Sequence, residues 1–415
     1  MLLISMFLVS IFPVFLILRY KFKQLVKIEF VNFDNNNKDQ TDDNHKQKIL
    51  LTGTEIGFGG REIATLNLYK ELIANNFKVI FLIAKNSISE EKLNKEKIPY
   101  YKCYTKKIFG MHWFFGQKKQ LQKILLKEKI EIIHMNSWKE TFICKAANKK
   151  HNIPIFLTQH DYCRIKPYVI NNLTGIFAVN EELVDIIKSV KTKNNLKIRS
   201  INFLPPFYDP KPFLNFSKTS EKEKFFTNNF NLNLQNIPLI SCIGNICKRK
   251  NQTLLLKAMH KLIHRKNIPF QTIFAGRFEG NIKEEIIQLI TDLKLKNFAH
   301  FVGFTDKIAE IVFHSDISVF PFNQEPFGIV YLEAALMKKT IITTENAGSK
   351  NIIIPNETGL FFEANNSDDL ADKIEFCLNN KNLCHDIGKN AFNIIQEKFM
   401  PDQTISKLKK LYKYN

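Results

Sequence analysis

The chain has 415 residues, room for two domains of ordinary size. Its 45% hydrophobic content and mean hydropathy of −0.18 argue against both a polytopic membrane protein and a chain too polar to bury a core. The formal net charge of +20 draws anions. With no zinc-finger spacing, RNA-binding motif or isolated basic tail, the expected anionic partner is a membrane surface and not a nucleic acid. Seven scattered cysteines (Cys103, Cys144, Cys163, Cys242, Cys247, Cys377 and Cys384) form no C-x-x-C pair, which argues against structural zinc and a disulfide framework.

Residues 1–18, MLLISMFLVSIFPVFLIL, carry no charge and as a helix would span roughly 27 Å, enough for a hydrocarbon core. Arg19, Lys21, Lys23 and Lys27 follow, so the expectation is a single-pass N-terminal anchor in the inner membrane with the catalytic body in the cytoplasm. A cleaved signal peptide would need a basic start and a small-residue cleavage site, and neither is evident. Residues 19–47 are basic and polar and read as a tether.

From residue 48, short apolar runs alternate with amphipathic stretches, the pattern of βαβ units and a parallel sheet. Residues 49–52 read as a strand, followed by a glycine loop and a helix over 61–75. Strands are expected at 79–84, 130–134, 153–158 and 175–179, with a helix over 117–129. Pro205-Pro206 and the polar stretch 218–236 suggest a junction between a first domain, 48–210, and a second, 237–398. The pattern then restarts, with strands at 239–244, 270–275, 298–302, 317–320 and 340–343 and helices at 252–263, 282–293, from about Phe327, 367–379 and 383–398. An amphipathic tail within 399–415 is expected to pack back on the first domain. Two Rossmann-like domains with a ligand crevice follow from this order.

The strongest chemical signal is Glu325-Pro326-Phe327-Gly328-Ile329-Val330-Tyr331-Leu332-Glu333, which follows a strand and opens a helix. Eight residues of helix cover roughly 12 Å, so Glu325 and Glu333 can flank one elongated ligand. The helix N-terminus between them suits a diphosphate. Spacing alone is equally compatible with Glu325 capping the helix and Glu333 being solvated.

This segment resembles the E-x7-E motif of retaining glycosyltransferases with the GT-B fold, family 4, and the resemblance runs over about residues 48–414. It implies that Glu325 contacts the donor sugar and Glu333 the nucleotide ribose, with Phe327, Gly328 and Ile329 at the helix start beside the phosphates. Gly244-Asn245-Ile246-Cys247-Lys248-Arg249-Lys250 resembles the strand-end loop that grips the diphosphate. Lys250 falls on the family lysine, whereas Asn245 stands in the place of the family arginine, with Lys248 or Arg249 as possible substitutes. Gly59 and Gly60 match a loop that brings backbone amides to acceptor and donor phosphate. His134 and His160, each at a strand end, match crevice-facing positions assigned to acceptor or donor-sugar contact. Asn136 replaces a second histidine, and Asn351 a usual acid.

The resemblance implies sugar transfer from a UDP-, GDP- or ADP-sugar to a glycan or lipid-linked envelope acceptor, as in lipopolysaccharide or capsule assembly. No Asp-x-Asp motif is seen, so neither a metal nor a resident cofactor is expected. A glycoside hydrolase fits poorly, since its two carboxyls lie about 5–5.5 Å apart in retaining enzymes. The departures at Asn136, Asn245 and Asn351 keep open a catalytically inactive, glycosyltransferase-like scaffold at the membrane.

Overall fold

A computed structural model of the chain describes residues 28–32, 46–53, 59–103, 110–162, 165–217 and 221–413. Packing divides the chain into two units: Met1–Val179 with Leu183–Phe207 and Leu408–Asn415, and Asn180–Glu182 with Tyr208–Lys407.

Unit 1 is built on eight strands: β1 (Glu29–Val31), β2 (Lys48–Gly53), β3 (Lys78–Ala84), β4 (Tyr100–Cys103), β5 (Ile132–Met135), β6 (Ile155–Gln159), β7 (Gly175–Ala178) and β8 (Ser200–Phe203). Their order is β1-β4-β3-β2-β5-β6-β7-β8. All pairs are parallel except β1 with β4 at the edge. The central strands are apolar runs with no alternation; Ile49, Leu50 and Leu51 of β2 are fully buried, as a sheet covered on both faces requires.

Unit 2 repeats the plan with β9 (Leu239–Ile243), β10 (Gln271–Ala275), β11 (Ala299–Gly303), β12 (Ile317–Phe320), β13 (Thr340–Thr344) and β14 (Leu360–Phe362). The order is β11-β10-β9-β12-β13-β14, all parallel. Its core runs from Ile240 and Cys242 through Leu255, Met259 and Phe274 to Ile374 and Ile387. In each sheet the winding reverses beside the first parallel strand, between β2 and β5 and between β9 and β12. Those switch points are where open α/β sheets hold ligands, outside the carboxyl ends of the strands.

Two sequence expectations change here. The polar stretch 218–236 contains a helix, Lys222–Phe230, which buries Phe225 and Phe226; the units divide earlier, between Phe207 and Tyr208. The expected transmembrane helix over 1–18 lies outside the described residues. Among the described residues no helix is long and apolar enough to cross a membrane. Even the two 18-residue helices, Gly110–Lys127 and Lys381–Lys398, carry several lysines and pack one face only. The single-pass anchor and the inner-membrane placement drawn from it are therefore withdrawn.

Candidate functional site

At the unit 2 switch point the chain leaves β9 through Gly244, whose φ of 137° favours glycine. It then makes one tight turn, Lys248–Lys250, before the helix Gln252–His260. That turn swings Lys250 inward. Its side chain is buried, its Nζ lies 3.6 Å from the centroid of the Phe322 ring, and it donates to Oε2 of Glu325 in the loop after β12. Burial lowers the Lys250 pKa, while the Glu325 carboxylate acts in the opposite sense. Arg249 joins the same carboxylate: its Nη1 is 3.2 Å from Glu325 Oε2 and donates to the Gln324 carbonyl at 3.0 Å. Two cations thus converge on one carboxylate, brought together from positions 75 and 76 residues away in sequence.

The backbone around Glu325 is fixed from behind. The Gly348 amide donates to the Glu325 carbonyl at 2.8 Å, and a Cβ on Gly348 would come within 2.4 Å of the Phe327 carbonyl oxygen. Only glycine permits that approach. Asn346 holds this segment in place. Its Oδ1 accepts from the amides of Gly348 (3.1 Å) and Ser349 (3.0 Å), and its Nδ2 donates to the Phe322 carbonyl at 3.2 Å. Sequence reasoning missed Asn346, because an Asn between a strand and a glycine reads as an ordinary turn residue.

Gly328, at φ 84°, opens the helix Ile329–Leu336; a Cβ there would strike the Tyr331 ring. Phe327 itself turns into the core, edge-on to Phe399 at 5.9 Å, so only its backbone is left to serve a ligand. Glu333 sits one turn along this helix, partly buried, and burial raises its pKa to about 7. Asn245 is engaged elsewhere: its Nδ2 donates to Glu279 and its Oδ1 accepts from the Arg277 amide at 3.4 Å. Of the residues expected to hold the donor in this unit, Gly244, Arg249, Lys250 and Glu325 come together. Gly328, Ile329 and Glu333 follow on the adjoining helix, and Asn245 faces the β10 side.

Unit 1 places its expected residues less uniformly. Gly59 and Gly60 open the helix Gly60–Ala74 beyond β2, but the Gly59 amide is taken by Glu62 Oε2 at 2.8 Å. Arg61 lies beside Glu62 at 3.0 Å and 3.8 Å from Asp161. His160, at the end of β6, has Nε2 3.4 Å from Asn136 Oδ1. Burial, then Arg61 and His134, lower its pKa to about 3, so it is a neutral imidazole.

His134 departs from expectation. It is fully buried, Nε2 is 2.7 Å from Thr158 Oγ1, and Nδ1 bonds the Tyr412 hydroxyl. Burial lowers its pKa to about 3. With both nitrogens occupied inside the core, His134 is a packing residue and not a sugar contact. Among the described residues no group of three His, Cys, Asp or Glu side chains is arranged to hold a metal.

Comparison with known proteins bears on both units. Residues 58–194 match the model "Glycosyltransferase Family 4" and residues 224–394 the model "Glycosyl transferases group 1". The chain is 22% identical over 388 residues to an uncharacterized glycosyltransferase of Methanocaldococcus jannaschii, covering 86% of this chain and 94% of that one. It is 25% identical over 319 residues, 70% of this chain and 77% of the other, to an Escherichia coli UDP-Gal:alpha-D-GlcNAc-diphosphoundecaprenol alpha-1,3-galactosyltransferase. Its fold superposes with a TM-score of 0.74 on Anabaena HepE solved with UDP and glucose, at 17% identity over 88% of this chain and 99% of HepE.

Proposed function

From a chain that belongs to glycosyltransferase family 4, has the GT-B fold and is a glycosyltransferase, we infer a specific reaction: transfer of a sugar, with retention, from a nucleoside diphosphate donor to a lipid-linked or envelope-glycan acceptor. The observation that carries this reading is the inward-turned Lys250 paired with Glu325 beside the helix that starts at Ile329. A departing diphosphate gains negative charge in the transition state. A fixed ammonium and the amide end of a helix stabilise that charge without reorganising. Glu325 accepts hydrogen bonds from the donor sugar hydroxyls and Glu333 from the ribose. As the anomeric C–O bond to phosphate breaks, the acceptor oxygen bonds to the same face of that carbon and its proton passes to a phosphate oxygen. Arg249 supplies the second charge that Asn245 cannot.

Two resemblances support the substrates: HepE was solved with UDP and glucose, and the Escherichia coli relative acts on a diphosphoundecaprenol-linked sugar with UDP-Gal. The test is a thermal-shift screen of the purified chain against UDP-, GDP- and ADP-sugars, followed by transfer assays with polyprenyl-diphosphate sugars. One donor is expected to raise the melting temperature and to be consumed. A chain that no nucleotide sugar stabilises is not the enzyme proposed.

A further inference from the structure

We propose that one face of unit 1 docks on an anionic lipid surface. The reading rests on this surface alone and stands apart from the donor site.

The helix Gly110–Lys127 packs Leu121, Ile124 and Leu125 inward. Along its other side Phe115, Lys119, Gln122 and Leu126 recur at steps of four, three and four, which is one line down a helix. Phe115 is 56% exposed and Leu126 63%. Gln122 Nε2 reaches the Ala147 carbonyl at 3.4 Å, so the helix Thr141–Asn148 lies alongside. That second helix exposes Phe142 (45%), whose ring stacks at 5.8 Å on Tyr168, itself 59% exposed. Lys145 Nζ donates to the Val169 carbonyl at 2.7 Å and so ties the turn carrying Tyr168 to the helix carrying Phe142. The aromatic pair is therefore held in place at the surface.

The charge on this face is mainly positive, with Glu128 beside Lys127 at 3.6 Å as an acid at its edge. No Asp or Glu occurs from Lys97 to Lys127 or from Thr141 to His160. Lys119 and Lys123 stand exposed on the first helix, and Lys149 and Lys150 at the end of the second. Aromatic rings suited to the headgroup level, flanked by lysines, match the chemistry of an acidic bilayer surface. A nucleic acid would leave Phe115 and Leu126 without an apolar partner. A second copy related by a two-fold axis would set lysine against lysine.

The test uses the full chain and phosphatidylcholine vesicles with or without an equal part of phosphatidylglycerol. Flotation is expected with the acidic vesicles only. Replacing Lys119, Lys123 and Lys149 together by Glu should weaken partitioning at least about a hundredfold. The same charge change at the exposed unit 2 residues Lys283, Lys296 and Lys381 should leave it within about threefold. Circular dichroism and the melting temperature establish that both variants are folded. A local readout accompanies this: acidic vesicles should shield Lys119, Lys123 and Lys149 from acetylation by a water-soluble ester and leave Lys283, Lys296 and Lys381 reactive. The proposal fails if the two triple variants lose binding equally, if the patch lysines stay reactive on vesicles, if neutral vesicles bind as well, or if the patch lysines are shielded without lipid in a dimer. None of these readouts involves donor or transfer, so a catalytically silent chain would leave the docking result intact.

Discussion

Lys250 and Glu325 depend on each other because each is a charge held largely away from water. Removing Glu325 strands the buried Lys250, which costs roughly 3 kcal/mol in a buried pair, whereas removing Lys250 leaves Glu325 with Arg249 and costs less. Glu325→Gln is therefore expected to lower unfolding free energy by about 3 kcal/mol, Lys250→Met by less, and the double variant to regain most of the Glu325→Gln loss, as measured by urea denaturation. Transfer should stay at least about a hundredfold down in all three, since neither the charge nor the sugar contact returns. Glu333 carries a pH signature of its own. Burial lifts its pKa from 4.5 to about 7, and only the ionised form accepts from two ribose hydroxyls. Donor affinity should therefore rise as pH climbs from about 6 to 8. Glu333→Gln should flatten that profile; titration of donor binding across the range decides it. The E-x7-E spacing made both carboxylates visible in the sequence. His134 was misread because its two partners, Thr158 and Tyr412, are 24 and 278 residues away, and nothing local to a strand end announces a buried imidazole.

At the scale of elements, the strands and most helices were legible because a sheet covered on both faces needs largely apolar runs, and β2, β9 and β12 supply them, with Ser241 and Ser318 pairing their hydroxyls inside. Edges and joints were harder. β1 and β8 are short and only partly buried, so no apolar run marks them. The Lys222–Phe230 helix hides its Phe225-Phe226 anchor in a polar stretch. Helix ends were obscured by a substitution of residue type: left-handed positions after helices, where glycine is common, are filled by Asn76, Asn195 and Asn231. Asparagine tolerates that region better than other side chains. Asn231, at φ 54°, closes Lys222–Phe230, and its amide donates to the Thr227 carbonyl at 3.0 Å. Asn231→Val is expected to cost about 1–2 kcal/mol and Asn231→Gly almost nothing. Melting curves of the two variants measure the difference.

Across the whole molecule, the last helix, Pro401–Lys413, belongs to unit 2 as far as Lys407 and to unit 1 from Leu408 on. Leu408 is fully buried, and the Tyr412 ring packs 5.1 Å from Phe156 and 5.9 Å from His134. Ending the chain after Lys407 would leave the His134 Nδ1 without its hydroxyl partner and open a void beside Phe156. Unit 1 should then lose several kcal/mol, in the range of about 3–5 for a deleted core aromatic. Hydrogen exchange of the β5 and β6 amides in the truncated chain is the measurement, and unchanged protection would refute the expectation.

Ribosomes deliver a chain from its amino end, so a domain encoded first ordinarily finishes folding first. Here the earlier-made half waits for Leu408 and Tyr412, made after the whole of unit 2, before its interior is complete. A chain cut short before Leu408 would therefore injure the half that was synthesised well before the cut.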